Sequence, residues 1–461
     1  MTSVQDSLIF GNIYSHPPAA KIWSDTTRTQ YFLDLEGALA RVQGRLGVIP
    51  EDAANAISEA CTSLAFIDWD ELRLQTELVG FPVLPLVKQL AKHVSEKHAG
   101  LGEWVHWGAM SQDITDTAII LQLRDTLRIV EELLTAIRGG LAQLCAKYKT
   151  TPMAARSNLS PTIPMTAGFK FARLLATFNR HETRLEELRK RLLVLQLGGA
   201  SGNLTALAFN GGPEIGYRCQ EALAKELDLQ IPDIAWHAER DRIADFGFFM
   251  TSLTSTCAKF AQDVALEMQS EVAEMSEPFT KHRGGSSAMP HRRNPITASA
   301  ILATATSVRH MGGALSESML STHEHDSGPC EVEWIALPHI SALGCACLRH
   351  TRELVEGIKI DPTTMLRNLN ANGGAYASET IMMALAPKMG RQRAHDLMYD
   401  VCHEAMQKGT SLFDVLSTKP ESSIIPQEDL KTLCDPSTYL GMSESMVDAV
   451  LSHMETNVSK V

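Results

Sequence analysis

Apolar residues recur at intervals of three and four through most of the chain, the period of helices that bury one face. Phe32, Leu35, Leu39, Val42 and Leu46 form one such stripe. Ser24 or Asp25 stands where an N-cap belongs, so a helix is predicted to about residue 46. Residues 1–20, with Pro18, read as irregular. A short helix is predicted over 68–78, a break over VGFPVLP at 79–85, and a resumed helix over 86–97. Leu121, Leu127, Val130, Leu133, Leu134, Ile137, Leu141 and Leu144 mark a long helix over 118–148, which Pro152 stops. Further helices are predicted from about 168 to 195, over 245–274 and over 296–319, with 340–355 continuing another. Asp361-Pro362 opens a compact C-terminal part. Strand signals are few, so the pattern predicts an all-α chain. The glycine-rich stretch Gln196–Asn203 has no GKS/T after it and no strand with GxGxxG before it; it reads as a bend between helices rather than a nucleotide loop.

The chain has 461 residues, 44% hydrophobic and 21% charged, enough for a sizeable core. A net charge of −12 argues against a nucleic-acid surface. Nine scattered cysteines without a CxxC pair fit a reducing, cytoplasmic setting. No signal peptide is read in MTSVQDSLIFGN, and no run of eighteen apolar residues offers a membrane span.

Chemistry concentrates in a few words. In KHRGGSSAMPHRRNP, 281–295, Gly284 and Gly285 permit backbone angles that other residues avoid. Ser286 and Ser287 sit at the tip, with His291, Arg292 and Arg293 behind. Hydroxyl donors backed by guanidinium forks suit an anion; a solvated basic loop is the plain alternative. In WVHWGAMSQDITDTA, 104–118, Gly108 allows a tight turn and Ser111 is placed to cap a helix. Asp113 and Thr117, four apart, share a helical face. Ser111 and Gln112 bring donors to a helix N-terminus, which favours anions, so a second carboxylate-binding loop is expected. Packing is the alternative for His106 and Trp107. Arg240 and Arg242 are two apart and cannot share a helical face; one is free to meet substrate while the other packs, or both are structural. His323-Glu-His-Asp326 matches neither HExxH nor a finger, so no metal is expected. Nor is an organic cofactor expected, since no P-loop or dinucleotide fingerprint occurs.

Gly285–Pro295 resembles the signature loop of the fumarase/aspartase superfamily, Gly-Ser-Ser-x-Met-Pro-x-Lys-x-Asn-Pro, with Arg292 in the lysine position. His106-x-Gly-x-x-Ser-Gln-Asp-x-x-Asp-Thr117 resembles its second signature, with Met110 where threonine is usual. Trp236-His237-x-x-Arg240-Asp-Arg242 and the stretch Pro82–Val87 are similar to the cycloisomerase branch. Arg156-Ser157-Asn158 lies where lyases carry Arg-Thr-His. An amide at Asn158 cannot shuttle a proton, which counts against a fumarase-like or adenylosuccinate-lyase-like reaction. Ala155–Leu159 resembles a fungal, trans-aconitate decarboxylase-like branch. The resemblance runs from about Trp23 to Gly441.

It implies a fumarase/aspartase-like fold, with an N-terminal helical domain at 1–110, a central long-helix bundle at 111–360 and a C-terminal helical domain at 361–461. It implies Ser286 as the general base. It implies substrate contacts from His106, Ser111, Gln112, Arg156, Ser157, Asn158, His237, Arg240, Ser287, Met289, Arg292 and Asn294. The expected substrate is a small di- or tricarboxylate, in a homotetramer whose sites are shared between subunits, without nucleic acid or membrane. The leading expectation is a 3-carboxy-cis,cis-muconate cycloisomerase-like reaction by serine-mediated proton transfer. Decarboxylation of trans-aconitate or a similar tricarboxylate stands nearly level. A β-eliminating lyase such as adenylosuccinate lyase, and a non-catalytic structural protein, follow.

Overall fold

A computed structural model describes residues 4–458 and is mainly helical, as the periodicity predicts. The Asp25–Arg45 helix starts where Ser24 accepts a hydrogen bond from the Thr27 N–H, a side-chain cap. It buries Phe32, Leu35, Leu39 and Val42. Each such side chain contributes roughly 1.5–3 kcal/mol by leaving water. The helix lies tightly against Glu51–Ala60: a Cβ on Gly44 would come within 2.5 Å of the Ala54 Cβ.

Several boundaries differ from expectation. Pro17–Ile22 is a short helix inside the stretch read as irregular. Asp68 caps the Trp69–Val79 helix, and Gly80, at φ 89°, ends it. The next helix, Val83–Lys97, starts inside the expected break. Pro85 lies in its first turn, where a missing N–H costs nothing. Ser111 is the first residue of the Ser111–Lys147 helix rather than its cap. The expected helix over 245–274 runs instead as Asp241–Glu267. Ser327–Gly357 is one continuous helix.

The largest departure from an all-helical reading is a hairpin. Pro152–Ser157 pairs antiparallel with Ser160–Thr166. Asn158 and Leu159 form its two-residue turn, both at positive φ, 51° and 66°. This is the turn that the right-handed twist of a hairpin favours. A second, two-residue pairing joins Met275–Ser276 to Lys359–Ile360.

By internal contacts the chain divides into two compact units. One comprises Met1–Leu133, Glu182–Ser255 and Ala303–Arg349; the other comprises Leu134–His181, Thr256–Leu302 and His350–Val461. In the second unit Asp361 caps Pro362–Asn370, its carboxylate accepting from the Thr364 N–H at 3.0 Å. Leu385, Met398, Val401, Leu412 and Leu416 cluster in the C-terminal core. Among the described residues no helix is long and apolar enough to cross a membrane.

Candidate active site

In the first unit the expected carboxylate loop leads into the Ser111–Lys147 helix. The Met110 N–H donates to Asp113 at 2.8 Å, the reaching-back half of a capping box. Asp113 also accepts from the N–H groups of Gly198 and Gly199, at 2.8 and 3.0 Å, and from His237 Nε2 at 2.8 Å. One turn on, Thr117 Oγ1 exchanges bonds with Gln196 O and N, at 2.9 and 3.0 Å. The face shared by Asp113 and Thr117 is thus spent on the glycine-rich bend. That bend approaches closely enough that a Cβ on Gly198 would meet His237 Cε1 at 2.9 Å.

Gln112 is buried. Its Nε2 donates to His237 O at 2.8 Å, so its Oε1 is the atom that meets His325 Nδ1. An amide oxygen only accepts, so Nδ1 of His325 carries the proton in this contact. His325 lies not on a helix but in a turn tied by Asp326, whose Oδ2 accepts from Thr322 N and Oγ1. Ser111 is half-buried and its hydroxyl has no hydrogen-bond partner among the described residues. His106, at φ 61°, sets Nδ1 2.6 Å from Glu36 Oε1. Burial alone would lower its pKa, but the Glu36 carboxylate beside it raises it overall.

Arg240 is buried with both Asp116 and Glu333. Nε and Nη2 donate to Glu333, Nη1 and Nη2 to Asp116, and Nη1 also to His237 O. All five of its donors are committed inside the protein, and the guanidinium lies 5.2 Å from the Trp236 ring. In this structure no donor of Arg240 remains for the substrate contact expected of it. Arg242 is the more open of the pair and donates to Arg191 O. Burial pushes the Glu333 carboxyl up, against the opposing pull of Arg240.

The second unit holds the serine loop. Glu277 anchors the helix that follows it, accepting from Thr297 N at 3.0 Å and Ala298 N at 2.6 Å. Gly284, at φ 67°, lets the chain close on itself, with Asn294 N–H donating to Gly284 O at 2.8 Å; a Cβ there would meet Asn294 O at 2.5 Å. Within this closed loop Ser286 Oγ accepts from Ala288 N–H at 3.3 Å and Met289 N–H at 3.1 Å. Ser287, Met289 and Arg292 are exposed and Asn294 is half-buried. Arg293 lies over the Phe279 ring at 3.8 Å, which leaves Arg292 the less engaged of the two arginines.

Arg156 stands on the first strand of the hairpin, with Ser157 at its end and Asn158 in its turn. Its guanidinium donates to Glu274, at 2.9 Å through Nη1 and closely through Nη2, and to Glu267 at 3.4 Å. Lys170 reaches Glu267 at 2.9 Å and Asn368 reaches Glu274 at 2.9 Å. Burial works to lower the Arg156 pKa, but the two carboxylates hold it raised. Glu267, Glu274, Asn368, Glu36, Asp116 and Glu333 are not among the site residues expected from the sequence, although Asp116 stands in the second signature. The signal was present for Asp113 and Asp116: acids inside the buried run Gln112–Ile120 demand partners. Glu274 was hidden by its assignment to a helix that ends at Glu267. No group of three or more His, Cys, Asp and Glu placed to hold a metal occurs among the described residues.

Residues 13–310 match the sequence profile of a family described as "Lyase", and residues 374–450 that of "Adenylosuccinate lyase C-terminus". The chain is 44% identical to trans-aconitate decarboxylase 1 of Mycosarcoma maydis, over 96% of this chain and 88% of that one. It is 37% identical to 3-carboxy-cis,cis-muconate cycloisomerase of Pseudomonas aeruginosa, over 98% and 97%. Among solved structures, 3-carboxy-cis,cis-muconate lactonizing enzyme from Pseudomonas putida superposes with a TM-score of 0.90, at 36% identity, covering 98% of this chain and 99% of that one.

Proposed function

The chain belongs to the fumarase/aspartase superfamily and is an enzyme of its cycloisomerase and trans-aconitate decarboxylase-like branch; on that premise we propose that it moves a proton, through Ser286, at a carbon next to a carboxylate of an unsaturated tricarboxylate. The observation that carries this is the pair of backbone N–H groups on Ser286 Oγ. Hydrogen bonds to the oxygen favour its ionised form, so the hydroxyl gives up its proton more readily than a free serine.

The two leading outcomes pass through the same kind of intermediate. In decarboxylation of trans-aconitate the bond from the CH2 carbon to its carboxylate breaks and carbon dioxide leaves. The electron pair moves through the double bond onto a second carboxylate as an aci-carboxylate. Ser286 protonates the carbon beside it and is reprotonated from water, leaving an unsaturated dicarboxylate. In lactonisation a carboxylate oxygen adds to the alkene, the same kind of aci-carboxylate forms, and Ser286 again protonates it. Arg292 and backbone N–H groups stabilise the developing charge. Ser111, His106, His237, Arg156, Ser157, Asn158, Ser287, Met289 and Asn294 are the groups that hold the rest of the substrate, and Arg240 and Gln112, whose donors are committed inside the protein, position rather than touch.

We place decarboxylation first, because identity is 44% to the decarboxylase against 37% to the cycloisomerase. Lactonisation is the second reading, supported by the TM-score of 0.90 to the lactonizing enzyme. We also propose a cytoplasmic homotetramer with shared sites. Exposed Leu8, Phe209, Ile234 and Leu320 support burial against other copies, and the nine free thiols fit the compartment.

Incubation with trans-aconitate and 3-carboxy-cis,cis-muconate, reading alkene absorbance and carbon dioxide together, tests the reading. Carbon dioxide with an unsaturated dicarboxylate is expected; lactone without carbon dioxide selects the second reading; turnover of neither refutes the substrate class. Ser286→Ala is expected to lower kcat by about 10²-fold or more with an unchanged melting temperature, the size of a lost proton-transfer group. Near-normal kcat would remove Ser286 from the chemistry.

A further inference from the structure

The first unit contains a cavity of about 540 Å³ within the size range of small-molecule sites. Trp23, Phe32, Trp69 and Trp334 give it flat apolar walls, and Arg28 lines it. The Arg28 guanidinium makes no hydrogen bond, ion pair or ring contact among the described residues. Burial depresses its pKa, and the only opposing influence is the charge of Asp25, an exposed carboxylate not in contact with it. Other charges in the wall are matched: Arg73 pairs with Glu77 at 3.1 Å, and Glu333 is spent on Arg240. Asp70 is exposed to solvent.

Buried charges in proteins are ordinarily paired, since an isolated one costs several kcal/mol of lost hydration. Arg28 is half-buried at the wall of an aromatic-lined volume and its fork has no partner among the described residues, so its donors are available to an anionic ligand. Its planar fork matches a carboxylate with two parallel bonds. The indole and phenyl faces offer stacking surface to a flat body but few donors. We propose that this cavity is a binding site for a carboxylate carried on an aromatic or similarly flat apolar body, with Arg28 as the anchor of the carboxylate. The volume exceeds what a small tricarboxylate fills, which sets its ligand class apart from the substrate proposed above.

The test is isothermal titration of the full-length protein with 2-naphthoate and with its neutral isostere 2-naphthamide. Tryptophan emission is followed in parallel, because three of the six tryptophans line the cavity. Saturable binding of the naphthoate is expected, with the amide at least about tenfold weaker, the worth of a charge-assisted fork. Arg28→Gln is expected to weaken the naphthoate by a similar factor and to leave the amide unchanged. Because no ion pair is lost, Arg28→Gln should melt no lower than the parent. A markedly lower melting temperature would mean the guanidinium is paired and would overturn the proposal. Arg28→Lys, which keeps charge but loses the fork, should bind the naphthoate several-fold more weakly than the parent. Equal affinity for acid and amide, undiminished binding by Arg28→Gln, or no saturable heat would each overturn it.

Discussion

Arg292 illustrates how much a single atom type constrains the chemistry. A lysine at this position can lose its proton when desolvated, but an arginine does not. Arg292 is therefore restricted to holding charge, and its exposed fork, without a partner among the described residues, suits two parallel bonds to a carboxylate. Arg292→Lys should raise KM and lower kcat/KM by about tenfold, because a point charge does not replace a bidentate contact. Steady-state kinetics on Arg292→Lys beside Arg293→Lys and His291→Ala decides it; a silent Arg292 variant would shift the role to a neighbour. His106 makes a prediction about stability instead. Its pKa is raised above the ordinary 6.5, chiefly because Glu36 outweighs burial. Its contribution is therefore fully present below that ordinary value and is lost as pH rises through the higher folded value. Urea midpoints should fall between about pH 5.5 and about pH 8.5, and Glu36→Gln should flatten that slope. An unchanged slope in the variant would dissociate the effect from this pair.

At the scale of elements the hairpin stands out. Asn158 tolerates its left-handed conformation, but Leu159 adopts φ 66° with its side chain 81% exposed. A Cβ in that region costs about 1 kcal/mol, with no compensating burial. Leu159→Gly should therefore raise stability by roughly 0.5–1 kcal/mol, read as a higher urea midpoint at constant slope. A loss of stability would mean that Leu159 is buried against another copy. The hairpin was also the element hardest to foresee. Pro152, Pro161 and Pro164 remove ladder donors, the strands lack an alternating apolar pattern, and the turn has no glycine. Helices, by contrast, were readable from periodicity and caps: Leu121, Leu127, Val130, Leu133, Leu134, Ile137 and Leu141 are all buried as their spacing requires. The site divides in the same way. Glycines and serines close in sequence announced the loop at 284–295. The partners that hold Arg156 and Arg240 come from 93 to 124 residues away, so even where a buried acid such as Asp116 signals that it needs a partner, the sequence does not say which.

At the scale of the molecule, Arg240 ties together the helix bearing Asp116, the segment carrying His237 and the helix bearing Glu333. Arg240→Met should cost roughly 3–5 kcal/mol, because two buried carboxylates would lose their counter-charge. Chemical unfolding should show this as a large drop in midpoint, with Asp116→Asn in the same background recovering part of it; an unaltered midpoint would contradict the pairing. The same triad has a consequence for biosynthesis. Asp116 leaves the ribosome 124 residues before Arg240, and Glu333 follows Arg240 by 93 more. At about 5–20 residues per second, the nascent chain waits about 5–25 seconds for each partner. Throughout that interval the helix starting at Ser111 has an acid in its apolar face that cannot yet be buried cheaply. The buried network of the first unit can therefore be complete only after the segment carrying Glu333 has been made.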